Sequence, residues 1–338
     1  VIPRYGRPEV LEVREMPDPH PGPGEVRIKV HAAGLNFAET SARQGLYPDA
    51  PKPPCVVGYE VAGVVDELGE LGDGVSGLSK GDRVWAMTRF GGHAELACTP
   101  ASLVRRMPAS LDFEHAAAIP VVYATAALLI SDYGRVLPGE RVLIHMAAGG
   151  VGVAAIQLCR QIPDVTLFGT ASARKHDFLR ELGVQHPIDY HTLDYEAEVM
   201  RLTDGKGVHV VLDPMGGENW RKGYRLLAPL GRLMIYGFSS VQSEGSRNLL
   251  SAGYKVLTAP SFKPMALMGD NKALMGLNLG HLFGEGARVS HGLDHLAKLI
   301  DQGVIKPVVD SVIPFAKAAD AHRRIESRQN QGKVILVP

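Results

Sequence analysis

The stretch RVLIHMAAGGVGVAAIQLCR, residues 141–160, constrains the fold of this chain more than any other. Residues 141–145 are apolar between polar ends, the pattern of a short buried strand. Ala147, Gly149 and Gly152 then occupy the three small positions of a G-x-G-x-x-G turn, with Ala at the first. From Val151 onward the residues are apolar except Gln157, Arg160 and Gln161. Their i, i+3, i+4 spacing predicts one wet edge on an otherwise buried helix. Strand, small-residue turn and helix in that order aim unpaired N–H groups and the positive end of a helix dipole at one spot, which suits a pyrophosphate. Ala148, Gly149, Gly150, Val151 and Gly152 are the predicted cradle.

One such turn is weak evidence alone, and the residues that follow give it weight. Strand candidates at 142–145, 165–169, 187–189, 208–212 and 232–236 alternate with helical stretches at 173–182, 195–202 and 219–227. That alternation predicts a doubly wound parallel sheet with helices on both faces, joined by right-handed crossovers. Ahead of residue 115 the chain is β-rich. Residues 25–33 alternate with period two, Val26, Ile28 and Val30 facing one way, and 60–68 and 82–87 are further strand candidates. The irregular stretch 34–54 between them is where binding residues are expected. After residue 237 the repeat stops. Helices at 293–302 and 316–327 and strands at 308–313 and 333–337 do not resume it, and the apolar stretch 272–282 suits an edge strand or an internal helix. The organisation predicted is a nucleotide-binding domain, residues 119–257, inserted into a second domain built from 1–118 and 258–338.

A length of 338 residues suits two domains better than one core. Lys plus Arg equals Asp plus Glu at 36 each, so no global field recruits nucleic acid or an anionic membrane. The longest apolar run, 116–130, is broken by Pro120, Tyr123 and Thr125 and falls short of the ~20 residues of a membrane span. Cys55, Cys98 and Cys159 are few, odd in number and far apart, which fits a reducing cytosol better than a disulfide framework or a metal knuckle. VIPRYGRPEV at the start has neither a charged n-region nor an apolar h-region, so no secretory signal is read from it; the first residue is not Met, which leaves room for residues ahead of Val1.

GLNFAETSARQGLYP (34–48), GYEVAGVV (58–65), KGDRVWAM (80–87) and the 141–160 stretch together resemble the zinc-free medium-chain dehydrogenase/reductases, the quinone oxidoreductase family that includes zeta-crystallin. The likeness covers nearly the whole chain. HMAAGGVGVAAIQLCR, GTASARKH, HPIDYHTLDY and the terminal GKVILVP are most similar to its vesicle amine transport protein branch. The resemblance implies a Rossmann domain inserted into a β-rich, GroES-like catalytic domain, NADPH as cofactor, a small-molecule substrate and a homodimer. It implies hydride transfer to quinones or related electron-poor conjugated carbonyls without metal. Reduction of enoyl thioesters or 2-alkenals is the alternative chemistry. An NADPH-binding sensor or interaction protein with little turnover is the non-catalytic alternative.

Where NAD enzymes carry an acid about 20 residues on, to bond the ribose 2′-OH, this chain has Gly169-Thr170-Ala171-Ser172, then Arg174 and Lys175. A carboxylate would repel a 2′-phosphate, whereas hydroxyls and two cations would bind it. Thr170, Ser172, Arg174 and Lys175 are therefore assigned to that phosphate, and the resemblance adds Tyr190 near it. Gly237 and Phe238 follow the fifth strand, where a switch-point ligand sits. By resemblance Thr125 lies beside the nicotinamide, and Asn36, which also borders the cofactor, and Tyr47 donate to the oxyanion of the substrate. Zinc-dependent relatives have a Cys and a His–Glu pair where this chain has Asn36 and Tyr59–Glu60, which is no thiolate–imidazole set, so no metal is expected. Several members carry a second Tyr five residues after the Asn. Ser41 stands there, predicting a roomier or wetter pocket. Cys55 lacks basic neighbours and is read as packing.

Overall fold

The computed structural model describes residues 1–70, 77–241, 249–283 and 285–338, without the side chains of 286–288. In chain order the strands are β1 (Glu25–Leu35), β2 (Glu60–Leu68), β3 (Arg83–Met87), β4 (Leu96–Pro100) and β5 (Val104–Arg106), then β6 (Arg141–Ile144), β7 (Thr166–Ala171), β8 (His186–Asp189), β9 (Val208–Asp213), β10 (Leu227–Ile235) and β11 (Ala273–Gly276), and finally β12 (Val309–Pro314) and β13 (Lys333–Val337). Among the described residues these form two sheets, one in each of two units.

In the first unit the sheet runs β12-β13-β1-β2-β3-β5, with β4 also paired to β1. Its pairings are antiparallel except β12 with β13. Val26, Ile28 and Val30 of β1 point into a core shared with Val61, Val65, Val84 and Val104, as their alternation predicts. The β1–β2 ladder slips register at Arg27/Ile28 and again at Val30/Ala32, irregularities that bend the sheet. Gly63 is needed at this crossing, because a Cβ there would fall 2.0 Å from the Lys29 carbonyl oxygen. The C-terminal strand closes the unit: β13 lies antiparallel to β1 with Leu35 opposite Val334. That register brings Lys333 to Asn36, residues far apart in sequence.

In the second unit six parallel strands run β11-β10-β9-β6-β7-β8, the doubly wound order with its switch point between β6 and β9. The unit begins at Thr125 and extends to Asn278, beyond the expected 119–257 at one end and short of it at the other. Both differences have physical causes. The amide N–H of Val121 donates to the Glu60 carboxylate at 2.7 Å, which keeps the first turn of the helix Pro120–Ala127 with the first unit. The stretch 273–276, left open above as strand or helix, pairs in parallel with β10 and so belongs to the nucleotide sheet.

The helix Gly150–Cys159 differs from its predicted wet edge at one place: Gln157 is buried. Only Arg160 and Gln161, just past its end, reach solvent. Packing on the sheet covers the helix more completely than the spacing of three polar residues suggests.

Candidate functional site

Strand β6 ends at Ile144, and the chain turns through Met146 with φ 53° before Gly149 caps the helix Gly150–Cys159. A Cβ on Gly152 would lie 2.4 Å from the Ala147 carbonyl oxygen and 2.7 Å from its Cα. Backbone cannot yield at such distances, so only glycine lets the helix approach this closely. Ala147 and Ala148 are buried beneath the turn, and the helix N-terminus opens at the switch point, which fits a pyrophosphate.

The β7–β8 register pairs Ala171 with Asp189, so the residues that follow them, Ser172 and Tyr190, emerge side by side. Ser172 leads the short turn Ala173–Lys175. Arg174 and Tyr190 are exposed and Lys175 is largely covered. Asp189 could oppose a phosphate here, but its two oxygens accept from the His191 amide and the Thr192 hydroxyl, both at 3.1 Å. Thr170 departs from its assignment. Its buried hydroxyl pairs with His145 Nδ1 at 3.0 Å and accepts from the Met146 amide at 3.3 Å, so it holds the turn from within. Gly237 and Phe238 close over the loop after β9: a Cβ on Gly237 would meet the Pro214 carbonyl oxygen at 2.8 Å, and Phe238 packs on Trp220 at 5.0 Å. Asp213 anchors that loop by accepting from the Met215 and Gly216 amides at 2.6 and 3.0 Å.

The first unit carries a second polar centre. Asn36 ends β1 and starts the helix Phe37–Gln44, and its backbone N–H donates to Glu39 Oε2 at 2.9 Å. The Asn36 side-chain Nδ2 donates to Glu60 Oε1 at 2.9 Å and makes a longer contact, 3.4 Å, with Glu39 Oε1. Lys333 Nζ donates to Asn36 Oδ1 and is ion-paired with Glu60. Glu39 and Glu60 are fully buried and Lys333 nearly so. Burial pushes the Glu39 carboxyl up to about 7, with Lys333 pulling the other way. The Asn36 amide is thus committed to buried carboxylates and an ammonium, where the sequence suggests a donor aimed at substrate.

Tyr47 is half-buried, edge-on to Tyr59 with ring centroids 6.1 Å apart, and Tyr59 also packs on Phe90 at 5.0 Å. Burial raises both phenols above their ordinary range. The Tyr59 hydroxyl faces that of Tyr47, yet among the described residues no hydrogen bond of normal geometry reaches it. Ser41 turns its hydroxyl back to the Phe37 carbonyl at 3.2 Å. Cys55 packs in the same apolar cluster as Tyr47, Ile2 and Val57. His93, half-buried, is pushed down to about 4 by desolvation, with Nε2 3.2 Å from the Gly34 carbonyl oxygen.

The residues that sequence reasoning missed are Glu39, Glu60 and Lys333. A signal was present for each. Asn36 and Glu39 have capping-box spacing, and Glu60 and Lys333 are lone charges beside the apolar runs of GYEVAGVV and GKVILVP.

Two family models match, Zinc-binding dehydrogenase over residues 182–336 and Alcohol dehydrogenase GroES-like domain over residues 22–109. The chain is 47% identical over 328 residues to the synaptic vesicle membrane protein VAT-1 homolog of Rattus norvegicus, covering 97% of this chain and 80% of that one. It is 34% identical over 338 residues to the quinone oxidoreductase of Pseudomonas aeruginosa, covering 99% and 97%. The chain belongs to the zinc-free VAT-1 and quinone oxidoreductase family of medium-chain dehydrogenase/reductases. Among solved structures, the Escherichia coli quinone oxidoreductase complexed with NADPH superimposes with TM-score 0.85 at 29% identity, over 99% of this chain and 98% of that one. The inserted Rossmann domain and the β-rich GroES-like domain are as the sequence predicts.

One matching model is described as zinc-binding, and the residues here do not fit zinc. The Lys333 ammonium already lies against Asn36 Oδ1 and Glu60, so a metal ion at those ligands would meet a fixed positive charge. Among the described residues no group of three or more His, Cys, Asp or Glu is placed to hold a metal ion.

Proposed function

We propose that this protein is an NADPH-dependent reductase that delivers hydride to quinones or related electron-poor conjugated carbonyls without a metal. The observation that carries this reading is the glycine-enforced turn at Gly152 at the switch point of a doubly wound sheet, with Arg174 and Lys175 beyond β7 and the nearby Asp189 carboxylate turned into its own loop. The NADPH-bound Escherichia coli relative supports the same cofactor. Bound NADPH supplies the hydride. Backbone N–H groups of residues 149–152 hold the pyrophosphate, and Ser172, Arg174, Lys175 and Tyr190 hold the 2′-phosphate. Thr125, Gly237 and Phe238 border the nicotinamide end. Tyr47 donates to the developing oxyanion, and Asn36, with its amide held inward, orders the polar centre around it.

The test is calorimetric titration of NADPH and NADH into wild type and Lys175→Ala, with NADPH consumption measured on 1,4-benzoquinone, phenanthrenequinone, an enone and crotonyl-CoA. Losing charge-assisted bonds to the 2′-phosphate costs about 1.5–3 kcal/mol, a fall of roughly 10–150-fold in NADPH affinity with NADH unchanged. Equal wild-type affinity for both cofactors sinks the reading. Tight NADPH binding without turnover of any acceptor identifies a sensor.

We also propose a homodimer and a cytoplasmic location. β11 is the last strand of its sheet, and Leu250, Leu257, Met265 and Met268 of the same unit are exposed, so a second copy paired along β11 would satisfy the edge and cover apolar surface. A monomer mass in light scattering at micromolar concentration rejects this. Cys55, Cys98 and Cys159 are free thiols, and among the described residues no helix is long and apolar enough to cross a membrane. Fractionation of cells expressing the protein checks the location.

A further inference from the structure

The polar centre of the first unit contains two fully buried carboxylates and one buried ammonium. Two ionised acids in so dry a place leave each other uncompensated unless a cation shares them. Lys333 is that cation: it pairs with Glu60, donates to Asn36 Oδ1, and acts on Glu39. The other titratable groups around it are Tyr47 and Tyr59, which feel Glu39, and His93, which feels Lys333. The arrangement also fixes an orientation. While both carboxylates accept, Asn36 must present Nδ2 to them and oxygen to the ammonium. Without the ammonium, which pulls the Glu39 carboxyl down, Glu39 would keep its proton to higher pH, and a protonated carboxyl can donate to Oδ1, so the amide could sit either way round.

We propose that Lys333 is a positioning residue for hydride transfer, a cation built into the chain that holds the Asn36 amide and the Glu39–Glu60 pair in one arrangement. It takes the electrostatic place that a metal ion would need at these residues. The idea rests on the reductase reading, in which substrate meets Tyr47 and Asn36 orders the polar centre beside it.

The experiment compares wild type, Lys333→Met, and the double variant Lys333→Met/Glu60→Gln, which removes one buried charge of each sign. Measured for each are NADPH affinity, kcat and KM for 1,4-benzoquinone, and the thermal midpoint with and without millimolar Mn2+. Removing a partner that orients the groups of a site, as measured for the residues behind metal ligands, typically costs about 10–100-fold in activity. Lys333→Met should lose that much in kcat, with KM and NADPH affinity within about threefold of wild type. Mn2+ should raise its thermal midpoint, because oxygen ligands freed of the ammonium suit such a cation. It should not raise that of wild type or the double variant. If Lys333→Met does not fold, the double variant decides, since it should fold and bind NADPH yet keep the kcat defect. Wild-type kcat in the double variant overturns the proposal. If wild type turns over no acceptor, the reductase reading fails and the Mn2+ comparison decides the cation alone. An equal Mn2+ effect on wild type and Lys333→Met then overturns the proposal, and so does a rise in the double variant's midpoint with Mn2+ should Lys333→Met not fold.

Discussion

Glu39→Gln is the substitution whose effect follows most directly from the buried charges. Glu39 sits at the third position of the helix Phe37–Gln44 with no exposed surface. Burial lifts its carboxyl from the ordinary 4.5 to about 7, while Lys333 and the Asn36 amides pull it down and Glu60 pushes it up. The folded protein therefore holds this proton more tightly than the unfolded chain does. Its contribution to stability is full below about pH 4.5 and is lost as the pH rises through about 7. At 1.36 kcal/mol per unit of pKa, the loss is about 3 kcal/mol. Gln keeps the shape and an acceptor for the Asn36 N–H but cannot ionise, so relative to wild type it should gain about that much over the same interval. His93 runs the opposite way: burial holds it near 4, so its contribution is present at neutral pH and lost as the pH falls below about 6.5. Both proteins contain it, and it drops out of their difference. The assay is urea unfolding of both proteins at half-unit steps from pH 4.5 to 8. Parallel stability curves would refute the reasoning, because Glu39 would then carry no buried proton.

Gly152→Ala places a methyl 2.4 Å from the Ala147 carbonyl oxygen, so the helix must lift off the turn. Overpacking of this kind costs about 1–3 kcal/mol, and calorimetry should show NADPH affinity falling in the same variant. Arg43 is fully buried, donates to the Gly6 carbonyl at 2.7 Å and is ion-paired with Glu326. Arg43→Met should cost roughly 3–5 kcal/mol in urea unfolding by leaving Glu326 unpaired, and Glu326→Gln in the same chain should recover part of it. Additive single effects would show that the pair is not coupled.

Sequence by itself determines the nucleotide fold of this protein, because its determinants are local. The spacing of Ala147, Gly149 and Gly152, the apolar run before them and the strand–helix alternation after them are short-range steric demands, and the sheet order confirms them. The strand at 333–337 is equally plain from its apolar run. Tertiary structure alone decides what the polar residues do. Gln157 fits a wet helix edge by spacing and is buried by packing; the Thr170 hydroxyl fits a phosphate by position and is turned to His145. Glu39, Glu60 and Lys333 are each unremarkable in the chain. They become one charged centre because β13 returns along β1 in the register that sets Val334 opposite Leu35. Burial then gives those charges their strength, since a carboxylate and an ammonium interact weakly in water and strongly once the fold has removed it.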